Sequence, residues 1–350
     1  MKRILLIGAG HAHLAVLRSL VQRPLYGARI TLVSPQPRQI YSGMLPGFIA
    51  EHYRLDEIEA DVAGLAARAY AEFVEGAVTG LDLPGRRLHL AGGEALAYDY
   101  LSVNAGSAVD LSIPGSSEHA LAVKPFGGFL AGLNAMRPAR VAIAGAGAAG
   151  IELAMALRHR GAEVALFSHV PTLSAVLAGR ATPQLRALGV DFRPGRPIDA
   201  IEPGPVVIAG SARQDFDAVL LATGAVPLAW LRDSGLASDE RGFVLVDEML
   251  RSTSHPEVFA AGDCASLRGA PHPKSGVYSV RHGETLAANL RCLVEETQLQ
   301  PYRPQARALV LLSCGRKYAI AEWGGWSAQG AWAWRWKDAI DRRWLRSLAA

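Results

Sequence analysis

Val258-Phe259-Ala260-Ala261-Gly262-Asp263-Cys264-Ala265 is a short apolar run that ends in Gly-Asp. A strand of this kind carries its carboxylate at the C-terminal end, where Asp263 can accept hydrogen bonds from a polyol. Upstream stand two glycine fingerprints, Gly8-Ala9-Gly10-His11-Ala12-His13 and Gly145-Ala146-Gly147-Ala148-Ala149-Gly150. Two dinucleotide cradles and one such aspartate describe a chain that holds FAD and a nicotinamide nucleotide together, with Asp263 on the ribityl chain of the flavin.

Around each fingerprint the chain reads as strand, turn and helix. Residues 4–7 form a buried parallel strand and residues 13–20 the helix behind it. Gly8 permits the tight turn, and Gly10 lets the backbone approach a pyrophosphate. The helix start offers free N–H groups and a positive dipole end. His13 stands where a third glycine is usual, which weakens this match. The second strand, 29–33, leads to Ser34 at the position where an acid normally binds the adenosine ribose. A hydroxyl, a backbone group or some other residue must replace it.

The second fingerprint satisfies all three glycine positions, between a strand at 140–144 and a helix at 151–160 stopped by Gly161. Glu152 is expected in the first helical turn, as an acid of no special role or as a ligand of the nicotinamide end. The next strand, 163–167, leads to Ser168. An acid there favours NADH and an arginine NADPH, so Ser168 leaves the choice open.

The intervening segments are read as follows. Gln39-Ile40-Tyr41-Ser42-Gly43-Met44-Leu45-Pro46-Gly47 is a loop, either ordinary or placed to line the flavin ring. It has no cysteine, which excludes an active disulfide there. Residues 71–96 suggest a small antiparallel sheet, and 98–107 a strand running into a small-residue turn at Gly106. Residues 124–136 read as a linker and helix. Residues 220–227 read as a strand and turn at Gly224, where bulk would collide with a cofactor crossing between domains, although a bare turn explains the same residues. A helix at 277–293 follows the Gly-Asp motif, and its N-terminus could stabilise negative charge on a reduced ring. Lys274, Arg281 and His282 surround its start, and each alone reads as a solvated surface residue.

Half of the 350 residues are hydrophobic, with 36 Gly and 20 Pro, which suits an α/β protein with many tight turns and argues against a disordered or fibrous chain. A net charge of +4 is too mild to point to nucleic acid. Three cysteines, Cys264, Cys292 and Cys314, include no C-x-x-C pair, so reduced thiols are expected, without zinc or a disulfide framework. Met1-Lys2-Arg3 and the apolar run behind it imitate a secretory signal, yet a first strand explains the following glycines and a signal does not. No apolar stretch is long and uncharged enough to span a bilayer. A cytoplasmic location is expected, with peripheral contact on the inner membrane face left open. Six of the seven tryptophans lie between Trp323 and Trp344, interleaved with Arg335, Lys337, Arg342, Arg343 and Arg346. Such a helix suits a membrane surface, or it packs its aromatics on the flavin domain or on a second copy in a homodimer. Packing is favoured, because Asp338 and Asp341 interrupt the basic face.

With these residues in place, the chain resembles the pyridine nucleotide-disulfide oxidoreductase superfamily and, within it, the type II NADH dehydrogenase branch. It is most similar to the NADH dehydrogenase-like proteins associated with selenide, water dikinase. That likeness is carried by Gly10-His11-Ala12-His13, the Tyr41-to-Gly47 segment, Val123-Lys124-Pro125, Gly276-Val277-Tyr278, and Trp334-Arg335-Trp336-Lys337-Asp338 with Ile340-Asp341-Arg342.

The resemblance implies two Rossmann-like domains, the second inserted in the first, and a small C-terminal α+β domain. The FAD domain would be 1–115 with 241–292, the NAD(P)H domain 116–240 and the C-terminal domain 293–350. FAD would meet Gly8, Gly10, His11, Ala12, Ser34, Ser42, Gly106, Asp263, Gly276 and Val277. NAD(P)H would meet Gly145, Gly147, Ala148, Gly150, Glu152, Ser168 and Gly224. The implied activity takes hydride from NAD(P)H to the flavin and passes electrons to a quinone or another small acceptor approaching from the C-terminal domain. The flavin carries the chemistry, with Lys274 and Glu152 as candidate catalytic residues. One alternative is a sulfide- or selenium-compound oxidoreductase using Cys314. Another is an FAD-binding sensor or partner protein with little turnover.

Overall fold

The computed structural model describes residues 1–169 and 173–350. Apolar runs such as Ile4-Leu5-Leu6-Ile7 have no polar face to turn to water, so they become interior strands covered on both sides. Such strands and the more polar edge strand Glu72–Glu75 form a five-stranded parallel sheet in the order Glu72–Glu75, Ala28–Ser34, Lys2–Ile7, Tyr100–Val103 and Val258–Ala260. Chain order along the sheet is third, second, first, fourth, fifth. It reverses direction between Lys2–Ile7 and Tyr100–Val103, where a crevice opens at the C-terminal strand ends.

Helix His11–Gln22 follows the first strand, and the long helix Gly276–Glu295 packs on it. Contact is close enough that a Cβ on Gly283 would lie 2.9 Å from Ala12 Cα.

A second parallel sheet, ordered Leu121–Ala122, Ala218–Leu221, Arg140–Ala144, Glu163–Ser168 and Asp191–Pro194, is built from chain lying between the fourth and fifth strands of the first. One Rossmann-like unit is therefore inserted in the other, and each sheet has its own apolar core. Helix Ala148–His159 follows the second fingerprint.

Several segments differ from the sequence expectation. Glu72–Glu75 joins the parallel sheet as its edge, and only Val78–Asp82, Arg87–Leu90 and Ala95–Ala97 form the antiparallel meander. A similar meander, Ala200–Glu202, Val206–Ala209 and Ala212–Asp215, turns at Pro203-Gly204-Pro205 and at Gly210-Ser211, signals to which the sequence reading gave no sheet. The 39–47 segment is not all loop: Arg38–Ile40 pairs with Glu59–Asp61, and Leu45–Ile49 is a short helix with Pro46 in its first turn.

At the C-terminal side, Val310–Cys314, Arg316–Trp323 and Trp326–Gly330 form an antiparallel sheet, followed by helix Ala331–Ala349. Trp323 and Trp326 thus lie on a hairpin rather than on the helix. The helix buries Trp334, Lys337, Asp341, Trp344 and Leu348, a three-four spacing that makes one inward stripe. Asp341 faces inward and Asp338 is bonded to Tyr53 and Arg342, so neither interrupts a solvent-facing basic surface. Trp332, Trp336 and Ile340 are exposed, as are Trp323 and Trp326. Among the described residues, no helix is long and apolar enough to cross a membrane.

Candidate active site

The first cradle is organised by Asn104, at the end of the fourth strand. Its Oδ1 accepts from the N–H groups of Ala12 (3.0 Å) and His13 (3.2 Å), and its Nδ2 donates to Ala261 O at 2.6 Å. One buried amide therefore ties the ends of the first, fourth and fifth strands together. It also explains the glycines. Gly8 has φ +85°, and a Cβ there would lie 2.6 Å from Ala105 Cα; a Cβ on Gly10 would overlap the Asn104 side chain. The approach of the Asn104-Ala105 backbone requires both glycines, a different reason from the ligand clearance expected at Gly10.

Asn104 leaves the N–H groups of Ala9 and His11 without a hydrogen bond among the described residues, and no side chain caps the helix start. Two free donors at a positive dipole end fit an anionic pyrophosphate. His13, the missing third glycine, is buried. Its Nδ1 donates to Gly8 O at 2.7 Å, which leaves Nε2 to accept from Ser102 Oγ at 2.8 Å. Burial brings its pKa down to about 4, so it is neutral at pH 7.

Asp263 follows the fifth strand as expected, but it is not solitary. Lys124 Nζ donates to Asp263 Oδ2 at 2.9 Å and to Ser107 Oγ at 3.0 Å. Next to Ser107, Gly106 has φ +78° and open space where a Cβ would stand. Gly276 begins the long helix beside the His11 ring, with no side-chain cap, while Val277 is exposed. Burial lowers the pKa of His11. Ser34 is buried, with its carbonyl accepting from Gly76 N–H, and Ser42 is half-buried.

Lys274 and His282 are corrections to the surface expectation, whereas Arg281 is exposed. Lys274 Nζ donates to Ala265 O and lies 4.1 Å from the Phe243 ring centroid, and burial lowers its pKa. His282 is buried with its pKa brought down to about 3; Nδ1 accepts from Gly262 N–H at 3.0 Å, and Nε2 lies 3.0 Å from His272 Nε2. Both side chains hold the Gly-Asp turn in shape. Lys274 in this position is a backbone tether, not an exposed acid or base.

In the second cradle Gly145 has φ +104°, and a Cβ on Gly145 or Gly150 would overlap the carbonyl oxygens of Ala222 or Gly145 respectively. Gly147 is the residue before the helix, and Ala148 its first. That start puts Glu152 in the second turn, correcting the first-turn expectation. From there its Oε1 accepts from Ser313 N–H at 2.7 Å, across to the C-terminal sheet. Desolvation pushes this carboxyl up, and the charge of Lys337 partly opposes the shift. Ser168 is buried at the end of its strand, and Gly224 has φ +137° with open space at its Cβ position.

Lys337 reads from the sequence as one of the basic residues of a helix suited to a membrane surface, yet it is buried. Its Nζ donates to Gly43 O (2.5 Å) and Asp341 Oδ2 (2.6 Å), and Tyr41 OH donates to Asp341 Oδ1 at 3.0 Å. The Tyr41 ring meets the His11 ring edge-on at 5.3 Å. Helical spacing of Lys337 and Asp341 at i,i+4 was its one sequence signal. The FAD-side fingerprint, the 41–47 segment, Glu152 of the inserted unit and the C-terminal helix therefore converge on one place.

Residues 2–283 match the pyridine nucleotide-disulphide oxidoreductase family. An NADH dehydrogenase-like protein of Mycobacterium tuberculosis is 28% identical over 324 residues, 84% of this chain and 80% of its own. The nitric oxide reductase FlRd-NAD(+) reductase of Aeromonas hydrophila is 35% identical over 205 residues, 55% of this chain and 52% of its own. NDH2 of Plasmodium falciparum superposes with a TM-score of 0.82 at 12% identity, covering 98% of this chain and 97% of that one. The sulfide:quinone oxidoreductase of Aquifex aeolicus gives 0.81 at 17%, covering 99% and 91%. Those structural likenesses speak to the fold alone. The match over most of the chain decides the rest: the chain belongs to the pyridine nucleotide-disulphide oxidoreductase family and is an FAD-dependent NAD(P)H oxidoreductase.

Proposed function

We propose that the protein passes electrons from NAD(P)H through FAD to a quinone or similar small acceptor, which approaches from the C-terminal domain. When bound, the two cofactors supply the hydride transfer between their rings. Ala9 and His11 N–H hold the flavin pyrophosphate, and Asp263, oriented by Lys124, takes the ribityl hydroxyls. Gly106 and Gly276 leave room for the ring, Ser42 and Val277 border it, and Ala12 and Ser34 set the adenosine side. Gly145, Gly147, Ala148, Gly150, Ser168 and Gly224 seat the nicotinamide nucleotide.

The observation that carries the acceptor side is the position of Glu152. Desolvation pushes its carboxyl up, and Oε1 is fixed by Ser313 N–H, within reach of the charges of the Lys337–Asp341 pair. A quinone taking two electrons also needs two protons, and a buried carboxyl whose pKa is raised is better suited to deliver one than a free carboxylate. The 41–47 segment and the inward stripe of helix Ala331–Ala349 shield this position from water.

The test is anaerobic: the flavin is reduced with NADH or NADPH, then mixed with a soluble short-chain quinone. Rapid bleaching followed by quinone-dependent recovery supports the proposal, and a flavin that neither nucleotide bleaches overturns it.

Sulfide or selenium chemistry would rest on Cys314. Burial pushes that thiol up to about 12; its Sγ donates to Leu312 O at 3.7 Å, and among the described residues no second cysteine is bonded to it. A thiol held protonated is a poor nucleophile, which weighs against this alternative. The exposed Trp323, Trp326, Trp332 and Trp336, with Arg335 and Arg343 nearby in sequence, favour contact with an anionic membrane surface, from which a quinone would come.

A further inference from the structure

We propose that the nicotinamide nucleotide is NADPH and that Arg196 binds its 2′-phosphate; this rests on the second fingerprint being the NAD(P)H cradle. In a dinucleotide-binding half the ribose hydroxyls lie at the end of the second strand, where a carboxylate selects NADH and an arginine accommodates the 2′-phosphate. Here that strand, Glu163–Ser168, ends without an acid: Ser168 and then His169 occupy the position.

The arginine comes from elsewhere in the chain. The edge strand Asp191–Pro194 runs parallel beside it, with Phe167 opposite Arg193 and Ser168 opposite Pro194. The chain then turns at Gly195 (φ +71°) and comes back so that Arg196 forms an antiparallel bridge with Ser168. Bridge partners lie about 5 Å apart at Cα, well within the reach of an arginine side chain. Sequence alone could not reveal this, because Arg196 is 28 positions from Ser168 and only the turn brings them together.

Charges around the site agree. A cavity of about 400 Å³ is lined by Phe167, Asp191, Arg193, Arg196 and Gln214 among others. Among the described residues Asp191 is its sole lining carboxylate, and it is already engaged: Arg193 Nε and Nη2 donate to Asp191 Oδ2 at 2.8 and 2.5 Å, and Nη1 donates to Gln214 Oε1 at 2.9 Å. The Arg193 guanidinium also lies 4.7 Å above the Phe167 ring. Arg196, by contrast, is exposed and makes no hydrogen bond or ion pair with a described side chain. One arginine is fixed as a wall of the cavity, and the second is left over at its mouth as an uncompensated positive charge. A ribose diol has no charge to offer it, whereas a phosphate monoester accepts two parallel N–H bonds from a guanidinium.

The test uses calorimetry on the purified flavoprotein with 2′,5′-ADP and with 5′-ADP, which differ in the 2′-phosphate and need no turnover. The 2′-phosphorylated ligand should bind at least about tenfold tighter to the wild type, the scale of a charge-assisted pair. Arg196→Gln should remove that preference while leaving 5′-ADP affinity and the flavin spectrum unchanged, and Arg196→Lys should restore part of it. Equal binding of the two ligands by the wild type, or an Arg196→Gln variant that keeps the preference, overturns the assignment of NADPH while the cradle stands. Binding of neither ligand overturns the cradle as well.

Discussion

His13 Nδ1 and Gly8 O lie 2.7 Å apart, so the side chain at the third fingerprint position is bonded to the carbonyl of the first. In the second fingerprint the equivalent carbonyl, Gly145 O, leaves no room for any side chain at Gly150. The same pair of positions is thus closed by contact in one cradle and by a hydrogen bond in the other.

A buried neutral histidine makes this cradle acid-sensitive. Unfolding returns His13 to a pKa near 6.5 from about 4, so the unfolded state binds the extra proton between those values. Stability is therefore flat above about pH 6.5 and falls as pH drops towards 4, by about 3 kcal/mol for this residue. His282, with its pKa at about 3, adds a loss of the same sign. Denaturant titrations of wild type and His13→Gln at pH 7 and pH 5 should show a smaller acid loss in the variant; equal losses would remove His13 as the cause.

Asp263 is expected to hold flavin. Asp263→Ala leaves Lys124 without its carboxylate and removes the acceptor for the ribityl hydroxyls. Affinity for FAD should fall by about 10- to 100-fold, corresponding to a lost charge-assisted hydrogen bond. The ratio of flavin to protein absorbance after gel filtration reads this directly.

Glu152→Gln separates the two halves of turnover. Flavin reduction by NAD(P)H should stay within about threefold of wild type, while reoxidation by quinone slows by about 100-fold, the scale of general acid catalysis. Stopped-flow traces measure both steps, and slowing confined to the reductive step would move Glu152 to the nicotinamide side.

Cys314→Ala should change quinone turnover by less than about twofold, at a cost of about 1 kcal/mol in stability from the small void. Loss of turnover in the variant, accompanied by sulfide-dependent flavin reduction in the wild type, would reverse the preference for a quinone acceptor.

Removing four indoles together, Trp323→Ser, Trp326→Ser, Trp332→Ser and Trp336→Ser, tests the outer face of the C-terminal region. The wild type should sediment with anionic vesicles and the variant should not. Failure of the wild type to sediment would leave these tryptophans without a membrane role.

Fold and cofactors were legible because strand, fingerprint and helix are local in sequence. Gly150 is required by the carbonyl of Gly145, five positions away, whereas Gly8 and Gly145 are closed in by the distant backbone of residues 104–105 and of Ala222. What escaped the sequence is long-range. Asn104, whose amide joins three strand ends, looked like one residue in a small-residue turn. Lys274 and His282 looked solvated until the Gly-Asp turn closed over them. Asp338 and Asp341 looked like breaks in a basic surface because the inward stripe of their helix contains a lysine and an aspartate that neutralise each other. Periodicity scores such a stripe as polar, although its charged members are paired and buried.

The bond between Gly43 O and Lys337 Nζ spans 294 positions of the chain. On a translating ribosome, the first fingerprint, proposed above to receive the flavin pyrophosphate, emerges ahead of the inserted unit. The strand bearing Asp263 waits for the whole inserted unit, and the helix that covers Tyr41 emerges later still. Cofactor capture in this architecture is thus a late event of biogenesis. The inserted unit can fold on its own schedule, while the sheet that surrounds it in sequence stays open until its fifth strand arrives.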